Sequence, residues 1–186
     1  HARLDRAELC RRLGWPRAAP IIVVYVPTWF DFPHMYGARA FRDFLDWFEA
    51  TLAIARRTRK VYWLFRAHPC EAWYGGIRLR DIMLRDQAPH IHLLPEGLNG
   101  AEVMACVDGV VTYHGTAGLE YAAFGKPVLL ADRGWYHDLG IAKWPMSREE
   151  YLAALGQPWW QEMDLRETTR RARILAGWYF CVPSWQ

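Results

Sequence analysis

The sequence predicts an α/β fold, a doubly wound parallel sheet with a helical C-terminal extension, on three observations. Val110 to Ala131, VVTYHGTAGLEYAAFGKPVLLA, reads without a break as strand, Gly-bearing turn, helix and second strand. Short apolar runs alternate with helical patterns along most of the chain, the rhythm of βαβ units. Ile21 to Val26 is apolar throughout, as a strand buried on both faces of a parallel sheet should be.

Each element follows from local pattern. Leu4 to Leu13 has the spacing of a short helix, closed by Gly14 and Pro16. The strand Ile21 to Val26 leads into a loop from Pro27 to Gly37. Ala38 to Arg57 then places Phe41, Phe44, Leu45, Phe48, Leu52 and Ala55 on one helical face. Val61 to Phe65 is a second strand, Ile77 to Asp86 a helix, His90 to Leu94 a short strand and Ala101 to Cys106 a short helix. Gly109 to Tyr113 is the next strand, and Thr116 falls at or near the N-cap of the helix after it. In that helix Leu119, Ala122, Ala123 and Phe124 recur at helical spacing, Gly125 stops it, and Pro127 opens the strand to Ala131. Beyond Trp135 the pattern is helical, with Ser147 capping Arg148 to Leu155 and a longer helix over Trp160 to Tyr179. About five strands joined by right-handed crossovers put helices on both faces of the sheet.

Composition narrows the class. At 186 residues the chain is long enough for one domain, residues 1–186, that buries roughly 70 % of its unfolded surface. The expected core covers about residues 17–155, with C-terminal helices over about 156–186. With 52 % hydrophobic and 23 % charged residues the chain is globular and not disordered. Its apolar runs are of strand length, and no membrane span or signal peptide is visible. Cys10, Cys70, Cys106 and Cys181 form no CxxC pair, so neither a zinc site nor a disulfide framework is indicated and a reducing compartment fits. A formal charge of +3, with basic and acidic residues interspersed except near the C-terminus, argues against nucleic acid as a partner. Eleven Trp residues serve either as core filling, the commoner use, or as platforms for carbohydrate or a membrane interface.

Three strand exits carry the candidate chemistry. The Gly115 turn aims backbone N–H groups at an anion, with Glu120 one turn further on facing the same crevice. The strand in KVYWLFRAHP ends in Arg66, His68 and Pro69. Ligands of an open parallel sheet bind at the carboxyl ends of its strands, so two polar exits in one sheet converge. His68 alone reads as a structural loop histidine; paired with the Gly115 to Glu120 turn it reads as a ligand contact. The first strand leaves as VYVPTWFDFPH, placing Thr28, Asp31 and His34 near the same edge. A carboxylate there serves as nucleophile, base or substrate anchor, or only makes a turn. No metal site is implied, because the Asp and His residues do not cluster at ligand spacing.

RAHP at Arg66 to Pro69, HGTAGLE at His114 to Glu120 and GKPVL at Gly125 to Leu129 together resemble the C-terminal, donor-binding half of bacterial surface-polysaccharide glycosyltransferases of the GT-B fold. The likeness covers most of residues 1–155 and is nearest to the capsule and lipopolysaccharide group that includes the CMP-Kdo-dependent Kdo transferases. The first strand is also similar to a segment of the teichoic-acid glycerophosphotransferases, which likewise release CMP. The resemblance implies a Rossmann-like half in which His68, with Arg66, Pro69 and His114 beside it, and the backbone of Gly115, Thr116 and Ala117 hold the donor phosphate. It further implies that Glu120 reaches the ribose and that Asp31 is the candidate covalent nucleophile, although its flanking residues depart from the family pattern.

The function expected on these grounds is transfer of a sugar, with Kdo from CMP-Kdo leading, onto a surface polysaccharide or its lipid-linked precursor. Alternatives are a CDP-glycerol glycerophosphotransferase of the teichoic-acid type, a UDP-sugar transferase, or a noncatalytic nucleotide-sugar or glycan-binding module. The nucleotide-sugar is a substrate, and no cofactor is expected. A chain opening on His1 without an initiator Met reads as a fragment lacking the N-terminal, acceptor-binding half that such an enzyme needs for activity. The expected location is cytoplasmic. The basic helix with Arg166, Arg170, Arg171 and Arg173 and its neighbours Trp159, Trp160, Trp178 and Trp185 reads either as a helix packed on its own domain with a solvated basic face, the commoner case, or as a peripheral contact with the inner face of the cytoplasmic membrane.

Overall fold

The computed structural model describes residues 4–37, 39–73, 75–85, 88–95 and 97–181. Five strands, β1 (Ile21–Tyr25), β2 (Tyr62–Arg66), β3 (Ile91–Leu93), β4 (Gly109–Thr112) and β5 (Val128–Leu130), form one sheet in the order β3-β2-β1-β4-β5. Every neighbouring pair is parallel. Chain direction across the sheet reverses between β1 and β4, so their carboxyl ends diverge into separate connections and leave a crevice between them.

β1, β2, β4 and β5 are apolar up to their carboxyl ends because both faces are covered. Ile22, Val24, Trp63, Phe65, Val111 and Leu129 pack under α2 (Phe44–Arg57), α3 (Leu79–Leu84) and α6 (Arg148–Leu155). Ile21, Val23, Leu64, Val110, Val128 and Leu130 pack under α1 (Arg6–Leu13), α4 (Gly100–Cys106), α5 (Thr116–Ala123) and α7 (Leu165–Cys181). The core extends past both expected limits. Leu4, Leu9 and Trp15 enter it from the N-terminal side, and Trp159 and Ala172 from the C-terminal side.

Several helix boundaries differ from the sequence expectation, each for a capping reason. α2 starts at Phe44, because Asp43 turns extended and its carboxylate accepts the Asp46 N–H. Phe41 therefore reaches the core from a loop. The buried stripe is Phe44, Trp47, Phe48, Thr51, Leu52 and Ala55, and Leu45 is 38 % exposed. α3 begins at Leu79, where the Asp81 carboxylate reaches back to accept the Arg78 N–H at 3.3 Å, leaving Ile77 outside; Asp86, its expected end, lies outside the described residues, as does Ala38. The stretch from Trp160 opens as a single 3-10 turn, Trp159–Gln161, and Asp164 receives the first amides of α7. Trp15, Trp47, Trp63 and Trp159 are core residues, whereas Trp73 and Trp178 are exposed; Trp185 lies outside the described residues.

Candidate functional site

Strand register brings the polar exits into one row. Tyr25, the last residue of β1, is level with Arg66 of β2 on one side and Thr112 of β4 on the other. Beyond that row lies a crevice of about 520 Å³, walled by Tyr25, Val26, Pro27, Asp31, Arg66, His68, Pro69, Gly100, Thr112 to Ala117 and Glu120. Asp31, Arg66, His68, Pro69, His114, Gly115, Thr116, Ala117 and Glu120, nine residues chosen from sequence, thus share one cavity. Thr28 and His34 do not join them. Thr28 is buried, and His34 lines a separate hollow beside Arg39, Arg42 and Arg148, its Nε2 at 3.0 Å from the Arg42 carbonyl.

The turn between β4 and α5 is held from two sides. The Thr112 hydroxyl accepts the Gly115 N–H at 3.3 Å, and the Tyr136 hydroxyl donates to the Gly115 carbonyl at 2.7 Å. Gly115, not Thr116, is the N-cap, and no side chain caps the helix; α1, α2, α4 and α6 have Asp5, Asp43, Asn99 and Ser147 in that place. The Gly115 amide is thereby committed to Thr112, which leaves the Thr116 and Ala117 N–H groups as the first-turn donors, with the positive end of the helix dipole behind them. Gly118 makes the arrangement feasible, since a Cβ there would overlap the Tyr136 hydroxyl.

Two side-chain donors face this turn from β2. The Arg66 guanidinium donates through Nη1 to the Tyr25 hydroxyl at 3.1 Å and lies 5.3 Å from the centroid of that ring. The Tyr25 hydroxyl sits 3.1 Å from that of Tyr121, so the arginine is held by a chain of hydroxyls rooted in the core. His68 Nδ1 accepts the Cys70 N–H at 3.1 Å, and the neutral ring therefore carries its proton on Nε2, a donor. Pro69 fits the start of the 3-10 turn Pro69–Trp73, where a missing N–H costs nothing.

The remaining groups are acidic or withdrawn. Burial pushes the Glu120 carboxyl above its usual range while the nearby Arg66 charge opposes the shift. Asp31 is exposed, its N–H on the Thr28 carbonyl at 3.3 Å. His114, expected among the donor-nucleotide contacts, lines the crevice as well. Its ring packs edge-on with Tyr113, Tyr36 and Phe44 at centroid distances of 5.2, 5.3 and 5.9 Å, and its buried Nε2 has no partner among the described residues. Burial lowers its pKa, so the ring is a neutral wall of the site and not a cation aimed into it.

Chemically, the crevice joins an end rich in hydrogen-bond donors, the α5 amides, Arg66 and His68, to a carboxylate acceptor, Glu120. Tyr25, Thr112 and Tyr136 were not foreseen. Tyr25 and Thr112 were legible only as strand-end polar groups, and Tyr136 lies 18 residues beyond the Gly118 it crosses, with no local signal. Among the described residues no group of three or more His, Cys, Asp or Glu is placed to hold a metal ion. The four cysteines are free thiols.

No protein-family model matches the sequence, and no curated protein matches it. Among solved structures the fold is similar to that of the wall teichoic acid polymerase TagF. Three structures of that protein match 91 % of this chain with TM-scores of 0.56, 0.55 and 0.57, at 10 %, 12 % and 11 % identity. The chain spans about two-fifths of their length, 39 % to 41 %. At such identity the likeness is one of fold, and by fold this chain is a Rossmann-like α/β unit with a five-stranded parallel sheet.

Proposed function

We propose that the chain is the donor-nucleotide half of a transferase that builds a bacterial surface polysaccharide or its lipid-linked precursor, with a CMP-activated sugar, CMP-Kdo first, as donor. The observation that carries this reading is the meeting of the α5 N-terminus, Arg66, His68 and Glu120 in one crevice at the point where the sheet changes direction. A departing CMP gathers negative charge, and fixed donors stabilise that charge without reorganising. Asp31 lines the same crevice, and we assign it the role of nucleophile toward the transferred group. The chain spans about two-fifths of the polymerase structures it resembles in fold, and acceptor binding is not assigned to it.

A second reading is glycerophosphate transfer from CDP-glycerol, favoured by the fold likeness to a wall teichoic acid polymerase. Both readings share a cytidine nucleotide as leaving group, so the first experiment is a thermal-shift series with CMP, UMP, GMP and AMP. At about 100 times its dissociation constant a ligand adds about 2.7 kcal/mol, or about 5 to 10 °C in a domain of this size. CMP is expected to give the largest shift, unchanged by EDTA. A larger shift with UMP moves the donor to a UDP-sugar, and no shift with any nucleotide leaves a glycan-binding module. CMP-Kdo against CDP-glycerol then separates the two cytidine readings.

A further inference from the structure

α7 carries a surface that the nucleotide crevice does not use. One side of the helix packs inward through Ala172, Leu175 and Ala176, and Tyr179 stacks on Trp135 at 4.6 Å. The outward side is segregated along the axis, with Arg166, Arg170 and Arg173 in the first half and Ile174 and Trp178 in the second. Arg173 donates to the Ala123 carbonyl at 2.9 Å, which brings Phe124, 70 % exposed at the end of α5, beside the same face. Trp178 is 66 % exposed, and it and Ile174 border a shallow apolar hollow of about 340 Å³ over Leu139 and Ile141.

Charge is concentrated here. Four arginines and one glutamate in α7 account for the entire formal excess of +3 in a chain with 23 basic and 20 acidic residues. Glu167 engages Arg170 and Arg171, and the helix keeps a net positive face. Large exposed apolar side chains beside a basic cluster suit a surface that is negative outside and apolar beneath. No helix among the described residues is long and apolar enough to cross a membrane, so the fitting contact is interfacial.

We propose that this face of α7, with Phe124, docks on an anionic lipid bilayer, the arginines at the headgroups and Trp178 and Ile174 in the acyl boundary. Charge complementarity selects this occupant. A basic face with apolar residues beside it matches a surface that is anionic outside and apolar beneath, whereas a second copy would bring a face of the same net positive sign. The inference does not rest on the nucleotide reading, and its test contains no nucleotide.

The test is co-sedimentation of the 186-residue chain with phosphatidylcholine vesicles, with and without phosphatidylglycerol, at low and physiological salt. Binding is expected only with phosphatidylglycerol present and weaker at the higher salt. Arg166→Gln together with Arg170→Gln is expected to lower binding about 25-fold, roughly fivefold for each charge. Trp178→Ser should also lower it, with far-UV circular dichroism and thermal midpoint unchanged. Absence of binding to phosphatidylglycerol vesicles at low salt, or binding undiminished in the arginine variant, overturns the proposal. A lipid-free dimer in sedimentation velocity that Trp178→Ser dissolves assigns the face to a second copy and overturns it equally.

Discussion

At the scale of single residues, the crevice assigns separable tasks to His68 and Glu120. His68 is exposed and has its tautomer set by the Cys70 amide, so its removal is expected to touch binding and not folding. A hydrogen bond from a neutral imidazole to a phosphate is charge-assisted, and its loss costs about 1.5 kcal/mol, near tenfold in affinity. His68→Ala is therefore expected to weaken CMP about tenfold by calorimetry with the melting temperature of the free protein preserved. Glu120→Gln is expected to weaken nucleotides with an intact ribose while sparing pyrophosphate, because the carboxylate accepts ribose hydroxyls and an amide accepts them less strongly. Equal losses for both ligands would give Glu120 a role in supporting the turn instead.

At the scale of elements, the β4–α5 turn depends on a contact that spans two connections. Tyr136, buried and with its hydroxyl pKa pushed up by burial, crosses Gly118 to reach the Gly115 carbonyl. Gly118→Ala forces that ring away and strips the bond, for an expected loss of about 1 to 3 kcal/mol in urea unfolding. Tyr136→Phe removes the bond alone and should cost about 1 kcal/mol. If the two variants are equally stable, Gly118 is not the contact that matters. The same region shows what sequence conveys. The strand, turn and helix of Val110 to Ala123 are local patterns, and so was the polarity of Arg66, His68 and Glu120. The Tyr25–Arg66 and Thr112–Gly115 bonds depend on strand register, which no residue encodes locally. Likewise the expected helix from Ala38 overran, since Phe41 and Phe44 keep helical spacing although Asp43 caps between them.

At the scale of the whole molecule, chain ends and distant loops are tied to the sheet by a few long-range polar contacts that frame its two packed faces. Arg6 bonds Asp108, whose carboxylate also receives the Ile21 N–H, fastening α1 to the starts of β1 and β4. On the other face, Arg148 of α6 grips Asp46 of α2 through two bonds at 2.8 and 3.1 Å, across 102 residues of sequence, and its guanidinium lies 4.7 Å from the Phe41 ring centroid. These bonds, chiefly those from Arg148, hold the Asp46 carboxyl at about 2, below its ordinary 3.8. A carboxyl depressed on folding contributes stability that is complete above its unfolded value and lost as pH falls through the folded one. The contribution of this pair is therefore present at neutral pH and disappears between about pH 4 and pH 2. Asp46→Asn keeps the shape but not the charge, and is expected to cost about 1.5 to 3 kcal/mol at pH 7, the range for hydrogen bonds to charged groups. Urea unfolding of both proteins at intervals from pH 7 to pH 2 checks the sign: the gap between them should close as the acid window is crossed. A gap that persists at pH 2 would place the cost of the substitution in packing around Phe41 and not in the ion pair that joins α2 to α6.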